Sequence, residues 1–169
     1  LKIFAILIPV LLLSVMTYFF NNYQKKKASA EKLKNIPAFT LKTINGETFT
    51  TENLALVRKK ILVYFSPECH YCQGEAEELS KLYSQYPEVQ WVWIASEPLD
   101  EIKKFAEKYH LDQQENIHWC HDEMAILYQK FAMSSVPFFL AYDKNNKQVF
   151  RNKGAIKLEK ILKSFDEGK

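Results

Sequence analysis

The chain alternates between apolar runs and amphipathic stretches in an order that can be read element by element. Ile3 to Phe20 is apolar but for Ser14 and Thr17, with Pro9 as its one breaker. About 18 residues at 1.5 Å rise cover roughly 27 Å, near the hydrocarbon thickness of a bilayer. Tyr18, Phe19, Phe20 and Tyr23 supply an aromatic edge to that segment. Residues 24–35 are polar and Lys-rich, as a juxtamembrane linker would be. From residue 36 the periodicity changes. Phe39–Thr43 and Glu47–Thr50 alternate in polarity around Asn45-Gly46, a strong hairpin signal. Ile61–Phe65 is a continuous apolar run and predicts a buried strand. Ala76, Leu79, Leu82, Tyr83 and Tyr86 then recur at helical spacing and predict a helix over 70–86. Gln90–Ala95 reads as the next buried strand. Pro98 and Asp100 open a helix with Ile102, Phe105, Ala106 and Tyr109 on one face. Ile117–Cys120 predicts a short strand, and Asp122 caps a helix running to about Phe131. A strand over 136–142, a turn at 143–147 and a closing helix over 156–166 complete the pattern.

Composition narrows the class. The chain has 169 residues, 47% of them hydrophobic, enough for one core plus an anchor. A net charge of +3, with no basic stripe interleaved with aromatics, gives no reason to expect nucleic acid as a partner. Three cysteines are too few for a disulfide-scaffolded mini-domain. At the N-terminus the reading is a retained transmembrane anchor over residues 1–23. A cleavable signal peptide is the rival, because Ala28-Ser-Ala30 has the small-x-small form. Lys25–Lys27 stand between the apolar run and that site, where charge is unwelcome in a leader. The same lysines favour a cytoplasmic location for the following domain by the positive-inside tendency.

The candidate chemistry lies at Cys69-His70-Tyr71-Cys72, set between the strand at 61–65 and the helix after it. This junction puts Cys69 at a helix N-terminus, where the dipole and free N–H groups favour a thiolate. Cys72 lies one turn on, within reach of a disulfide to Cys69. A single C-x-x-C is also half of many zinc sites. Val136-Pro137 supplies a second signal, since proline is tolerated at the first residue of a strand and not within it. A cis X-Pro bond costs only about 0.5–1 kcal/mol. Glu75 falls on the helix face that holds Cys72, Ala76, Leu79 and Leu82. A carboxylate there is partly desolvated, which raises its pKa and suits proton exchange with Cys72. The alternative is an acid serving the helix dipole, as Glu77 and Glu78 would. Cys120, between His118 and His121 beside Trp119, reads as a small buried strand residue, with a third redox thiol or a soft-metal ligand as sharper readings.

Lys60 to Cys72, Lys130 to Pro137 and Gly154-Ala155 before the last helix together resemble the thioredoxin superfamily over roughly residues 36–168. The resemblance implies an α/β thioredoxin-like fold, with a central mixed sheet flanked by helices over 36–169. It further implies a Cys69–Cys72 redox disulfide, with a cis-Pro137 loop facing it and binding the substrate chain through Val136. One strand–helix unit more than minimal thioredoxin, together with the anchor, makes the chain similar to the TlpA/ResA-like thiol-disulfide oxidoreductases. Glu75 then matches the active-site glutamate of that group. The resemblance implies a membrane-tethered, monomeric protein-disulfide oxidoreductase without cofactor or resident metal. It would lie in the bacterial inner membrane with its domain facing the periplasm or cell exterior. Its substrates would be protein thiols and disulfides, and a transmembrane thiol relay of the CcdA/DsbD type would be its electron donor.

Several positions depart from the family pattern. Glu68 stands where tryptophan is usual, Val63 where thioredoxin has a buried acid, and Phe138 where threonine is common after the proline. Without an acid at Val63, Glu75 is left as the leading proton acceptor. His70-Tyr71 is an unusual inner pair. Two other readings stay open. In a peroxiredoxin relative, Ser66 would stand for that family's threonine, but Leu62 replaces its proline. In a metal-delivery protein like the respiratory copper chaperones, C-x-x-x-C would be needed, one residue more than is present.

Overall fold

A computed structural model describes residues 11–24 and 34–167, which fall into two units dividing between Lys34 and Asn35. In the first unit, residues 11–24 form a helix, α1, about 21 Å long at 1.5 Å per residue. Its two aliphatic hydroxyls are satisfied within the helix: Ser14 donates to Leu11 O at 2.7 Å and Thr17 to Leu13 O at 2.9 Å. The expected anchor over 1–23 and linker over 24–35 lie partly outside the described residues. Among those described, no helix is long and apolar enough to cross a membrane.

The second unit is a thioredoxin-like α/β fold. Its seven strands are β1 (Thr40–Thr43), β2 (Thr48–Thr50), β3 (Lys59–Tyr64), β4 (Val89–Ala95), β5 (Ile117–His121), β6 (Phe138–Tyr142) and β7 (Gln148–Lys153). They form one mixed sheet in the order β2-β1-β5-β4-β3-β6-β7. β3, β4 and β5 are parallel, and β1, β6 and β7 each run antiparallel to their neighbours. The helices are α2 (His70–Leu82), α3 (Leu99–Lys108), α4 (Ile126–Lys130) and α5 (Leu158–Glu167). The extra unit expected between the C-x-x-C helix and the proline is α3 with β5. It widens the sheet between β4 and the β1–β2 hairpin.

Alternation along the strands sorts the core. Ile61, Val63, Trp91, Trp93, Ile117, Trp119, Phe139 and Ala141 belong to one buried cluster with residues of α2, α3 and α5. Phe65, Trp93, Phe105 and Trp119 pack ring against ring there, with centroids 4.9–6.4 Å apart. Gly46 turns the first hairpin at φ +80°, a backbone region that glycine enters without a Cβ clash. Three boundaries differ from expectation. The C-x-x-C helix ends at Leu82, and Tyr83–Gln85 continue as a 3-10 turn. The helix expected from Asp122 is broken, because Met124 and Ala125 adopt left-handed φ of +62° and +52°. Only Ile126–Lys130 is α-helical there. Asp122 still caps it, its carboxylate accepting the Leu127 and Tyr128 N–H groups at 2.8–3.1 Å and the Tyr64 hydroxyl at 3.0 Å. The third shift is in the strand expected from Val136, which begins at Phe138, since Pro137 has no N–H to donate to a ladder; the Val136–Pro137 bond is cis.

Candidate functional site

The site forms where the first of the parallel strands ends. β3 delivers the chain to Ser66-Pro67-Glu68, and the turn closes when the Cys69 N–H donates to Ser66 O at 3.1 Å. Gln73 ties the same turn from above, its side-chain amide donating to Pro67 O at 2.9 Å. Cys69 is the N-cap of α2. Its sulfur accepts the Cys72 N–H at 3.4 Å, so a donor is aimed where negative charge sits in the thiolate form. On its other side the Cys69 thiol lies 3.8 Å from the Val136 carbonyl oxygen, to which it donates. β6 is antiparallel to β3 and pairs Phe138 with Tyr64, which brings Val136-Pro137, just before β6, to the C-terminal end of β3. The structure therefore brings together Cys69, Cys72, Val136 and Pro137, from segments 64 or more residues apart in sequence.

The two thiols differ in environment. Cys69 is half-buried, while Cys72 is fully buried, and all three cysteines are free thiols. Burial holds the Cys72 thiol well above its ordinary pKa, and contact with Cys69 and the charge of Glu75 push it the same way. His70 and Tyr71 face solvent at the start of α2.

Glu75 is only 4% exposed. Burial raises its carboxyl from 4.5 to about 7; the Ile156 N–H partly offsets this, and Glu78 adds to it. One carboxyl oxygen accepts that N–H at 2.7 Å, whereas the other is buried with no partner among the described residues. Three residues on, Glu78 accepts the Leu158 N–H at 3.0 Å. The two acids thus hold the segment leading into α5 against α2, contacts that the sequence carries no signal for. A shallow cleft of about 400 Å³ opens beside Glu75, between Tyr71 and Gly74 on one side and Ile156 and Lys157 on the other.

Cys120 sits in the middle of the sheet, with Thr43 and Ile94 as its strand partners. It is wholly buried, and burial raises its pKa. Among the described residues, no three His, Cys, Asp or Glu side chains come together as a metal-holding group. Cys120 is therefore not assembled with Cys69 and Cys72.

The comparisons agree with this architecture. The chain is 25% identical over 147 residues to the soluble secreted antigen MPT53 of Mycobacterium tuberculosis, covering 86% of this chain and 80% of that one. A secreted disulfide oxidoreductase of Mycobacterium tuberculosis, homologous to E. coli DsbE, superposes with a TM-score of 0.65 at 23% identity. That match covers 81% of this chain and 98% of the other. A putative thiol:disulfide interchange protein DsbE from Chlorobium tepidum gives a TM-score of 0.65 at 16% identity, covering 78% and 96%. The family match spans residues 33–162, from the start of the sheet domain into α5, and on it the chain belongs to the AhpC/TSA family, within the thioredoxin superfamily.

Proposed function

We propose that the protein is a thiol-disulfide oxidoreductase that exchanges the Cys69–Cys72 dithiol with disulfides of other proteins. The observation that carries this reading is the placement of Cys69. Its sulfur sits at the first turn of α2 with an N–H aimed at it, and a proline loop that can present the Val136 backbone lies alongside. In the reducing direction, the Cys69 thiolate attacks one sulfur of a substrate disulfide. The substrate S–S bond breaks, a Cys69–substrate disulfide forms, and the departing sulfur takes up a proton. Cys72 then loses its proton, attacks the Cys69 sulfur and releases the second substrate thiol, leaving a Cys69–Cys72 disulfide. Two electrons pass from the dithiol to the substrate. Glu75 is the acceptor for the Cys72 proton, because a carboxyl near pKa 7 both accepts and returns protons at neutral pH.

The domain works outside the cytoplasm, tethered by the apolar N-terminal segment and recharged by a transmembrane thiol relay of the CcdA/DsbD type. Support comes from the apolar run over residues 3–20 and from a relative and a structural neighbour that are both described as secreted. Turnover assays separate the readings. Purified protein with a dithiol reductant should accelerate insulin disulfide reduction, and Cys69→Ser should abolish the effect. Consumption of hydrogen peroxide with no effect on insulin would instead make it a thiol peroxidase.

A further inference from the structure

A polar clamp far from the thiols joins β4, β5 and the segment after the first hairpin. Gln90, buried near the start of β4, accepts the Ala55 N–H through Oε1 at 2.8 Å. Its Nε2 donates to Asn53 O at 3.2 Å and lies 2.9 Å from Nε2 of His118 on β5. The Ala55 N–H can only donate and Asn53 O can only accept, so the orientation of the Gln90 amide is fixed by the backbone. One of its two hydrogens goes to Asn53 O, which leaves the other for His118. His118 Nε2 must then be a lone-pair acceptor, with the ring neutral and its proton on Nδ1. The ring itself is held by Phe49 of β2, with centroids 4.9 Å apart.

Protonation cannot be accommodated in this arrangement. A proton on His118 Nε2 would face the Gln90 N–H. Turning the amide to offer Oε1 to the ring would set an N–H against the Ala55 N–H and an oxygen against Asn53 O. No amide orientation satisfies all three partners. The surrounding charges give no relief. β4 offers only neutral Gln90 and Val92 near the ring, and β2 offers Phe49. β1, the other neighbour of β5, sets Lys42 opposite His121. Across the clamped segment, Glu52 is solvent-exposed, whereas Arg58 adds a repelling positive charge.

We infer that the Gln90–His118 pair is an acid-sensitive latch that releases the segment 53–57 from the sheet when His118 becomes protonated. Burial, and then Arg58, hold the His118 pKa below its ordinary 6.5. Between the two values the unfolded or opened state binds more protons than the closed one. Closure is therefore complete above 6.5 and is lost as pH falls through the folded pKa. The segment so released carries Leu56 and Val57, both exposed, and the buried anchor Leu54. The latch sits at the N-terminal end of the parallel strands, opposite the end that carries Cys69, so its opening leaves the dithiol geometry in place.

Nuclear magnetic resonance on the full chain tests the proposal. At about pH 7.5, ring nitrogen shifts should show His118 as the Nδ1–H tautomer. On acidification to about pH 5, protection of the Ala55 amide against hydrogen exchange should fall about tenfold more than that of Val63 in the core. In Gln90→Glu the new carboxylate still accepts the Ala55 N–H but attracts the protonated ring. There the His118 pKa should move above 6.5, and the acid-induced loss of Ala55 protection should disappear. In Gln90→Leu the Ala55 amide should exchange fast at every pH, while insulin reduction stays at the wild-type rate. An Nε2–H tautomer at neutral pH, or Ala55 protection that does not change with pH relative to Val63, would overturn the latch.

Discussion

Replacing Glu75 with glutamine tests the electrostatics of the site by exchanging one carboxyl oxygen for nitrogen. The carboxyl is raised from 4.5 to about 7 in the folded protein. At about 1.36 kcal/mol per unit, that shift is worth about 3 kcal/mol between fully protonated and fully ionised conditions. The folded state binds more protons than the unfolded one between those two values. Stability conferred by this group is therefore highest at or below about pH 4.5 and declines as pH rises through 7. Glu75→Gln keeps an oxygen for the Ile156 N–H and removes the titration. Its amide leaves a buried N–H near the position of the unpartnered oxygen, which costs about 1–3 kcal/mol at every pH. That constant cost cancels when the two proteins are compared across pH, as does the opposite contribution of His118, which both share. Chemical denaturation of both proteins, kept reduced, should show the variant gaining about 3 kcal/mol on the wild type between about pH 4.5 and 8.5. A stability difference that stays flat within about 0.5 kcal/mol over this range would refute the buried, proton-carrying Glu75.

Stability and labelling measurements reach three other features. Gly74 is exposed in the interior of α2, and a Cβ there meets nothing within 4 Å, so Gly74→Ala should raise stability by about 0.5–1 kcal/mol in urea denaturation. Asp122→Ala strands two backbone N–H groups and the Tyr64 hydroxyl, and the same measurement should show a loss of about 2–4 kcal/mol, with Asp122→Asn recovering part of it. Brief alkylation of the reduced protein at neutral pH, read by mass spectrometry, should label Cys69 alone. Cys72 and Cys120 are buried and held as thiols, so label appearing on either of them first would contradict their placement.

What the sequence revealed depended on how local the cause was. The strand at 61–65, the hairpin at Asn45-Gly46 and the helix behind Cys69 arise from periodicity and turn chemistry within a few residues, and all three are in the structure. The opposition of Cys69 and Val136 is long-range, and only the family resemblance anticipated it. The kink at Met124 and Ala125 was not legible, because neither residue favours positive φ. Tertiary contacts of Asp122 with Tyr64, Leu127 and Tyr128 hold that conformation. The N–H groups of Ile156 and Leu158, which Glu75 and Glu78 accept, were equally invisible, since a backbone donor carries no sequence signature. The Gln90–His118 contact joins two polar residues in buried strands, where pattern alone marks them only as exceptions.

The central claim is that Cys69 attacks and Cys72 resolves, and trapping tests it most directly. Cys72→Ser and Cys69→Ser proteins would each be incubated with a protein-disulfide substrate and analysed without reductant, with the linked peptides identified by mass spectrometry. With Cys72→Ser, a covalent complex should accumulate through a Cys69–substrate disulfide, because the half-buried sulfur under the helix N–H can attack but nothing can release it. The Cys69→Ser protein should trap nothing, since Cys72 is buried and remains protonated. Complexes formed by Cys69→Ser through Cys72, or none formed by either variant, would contradict the account.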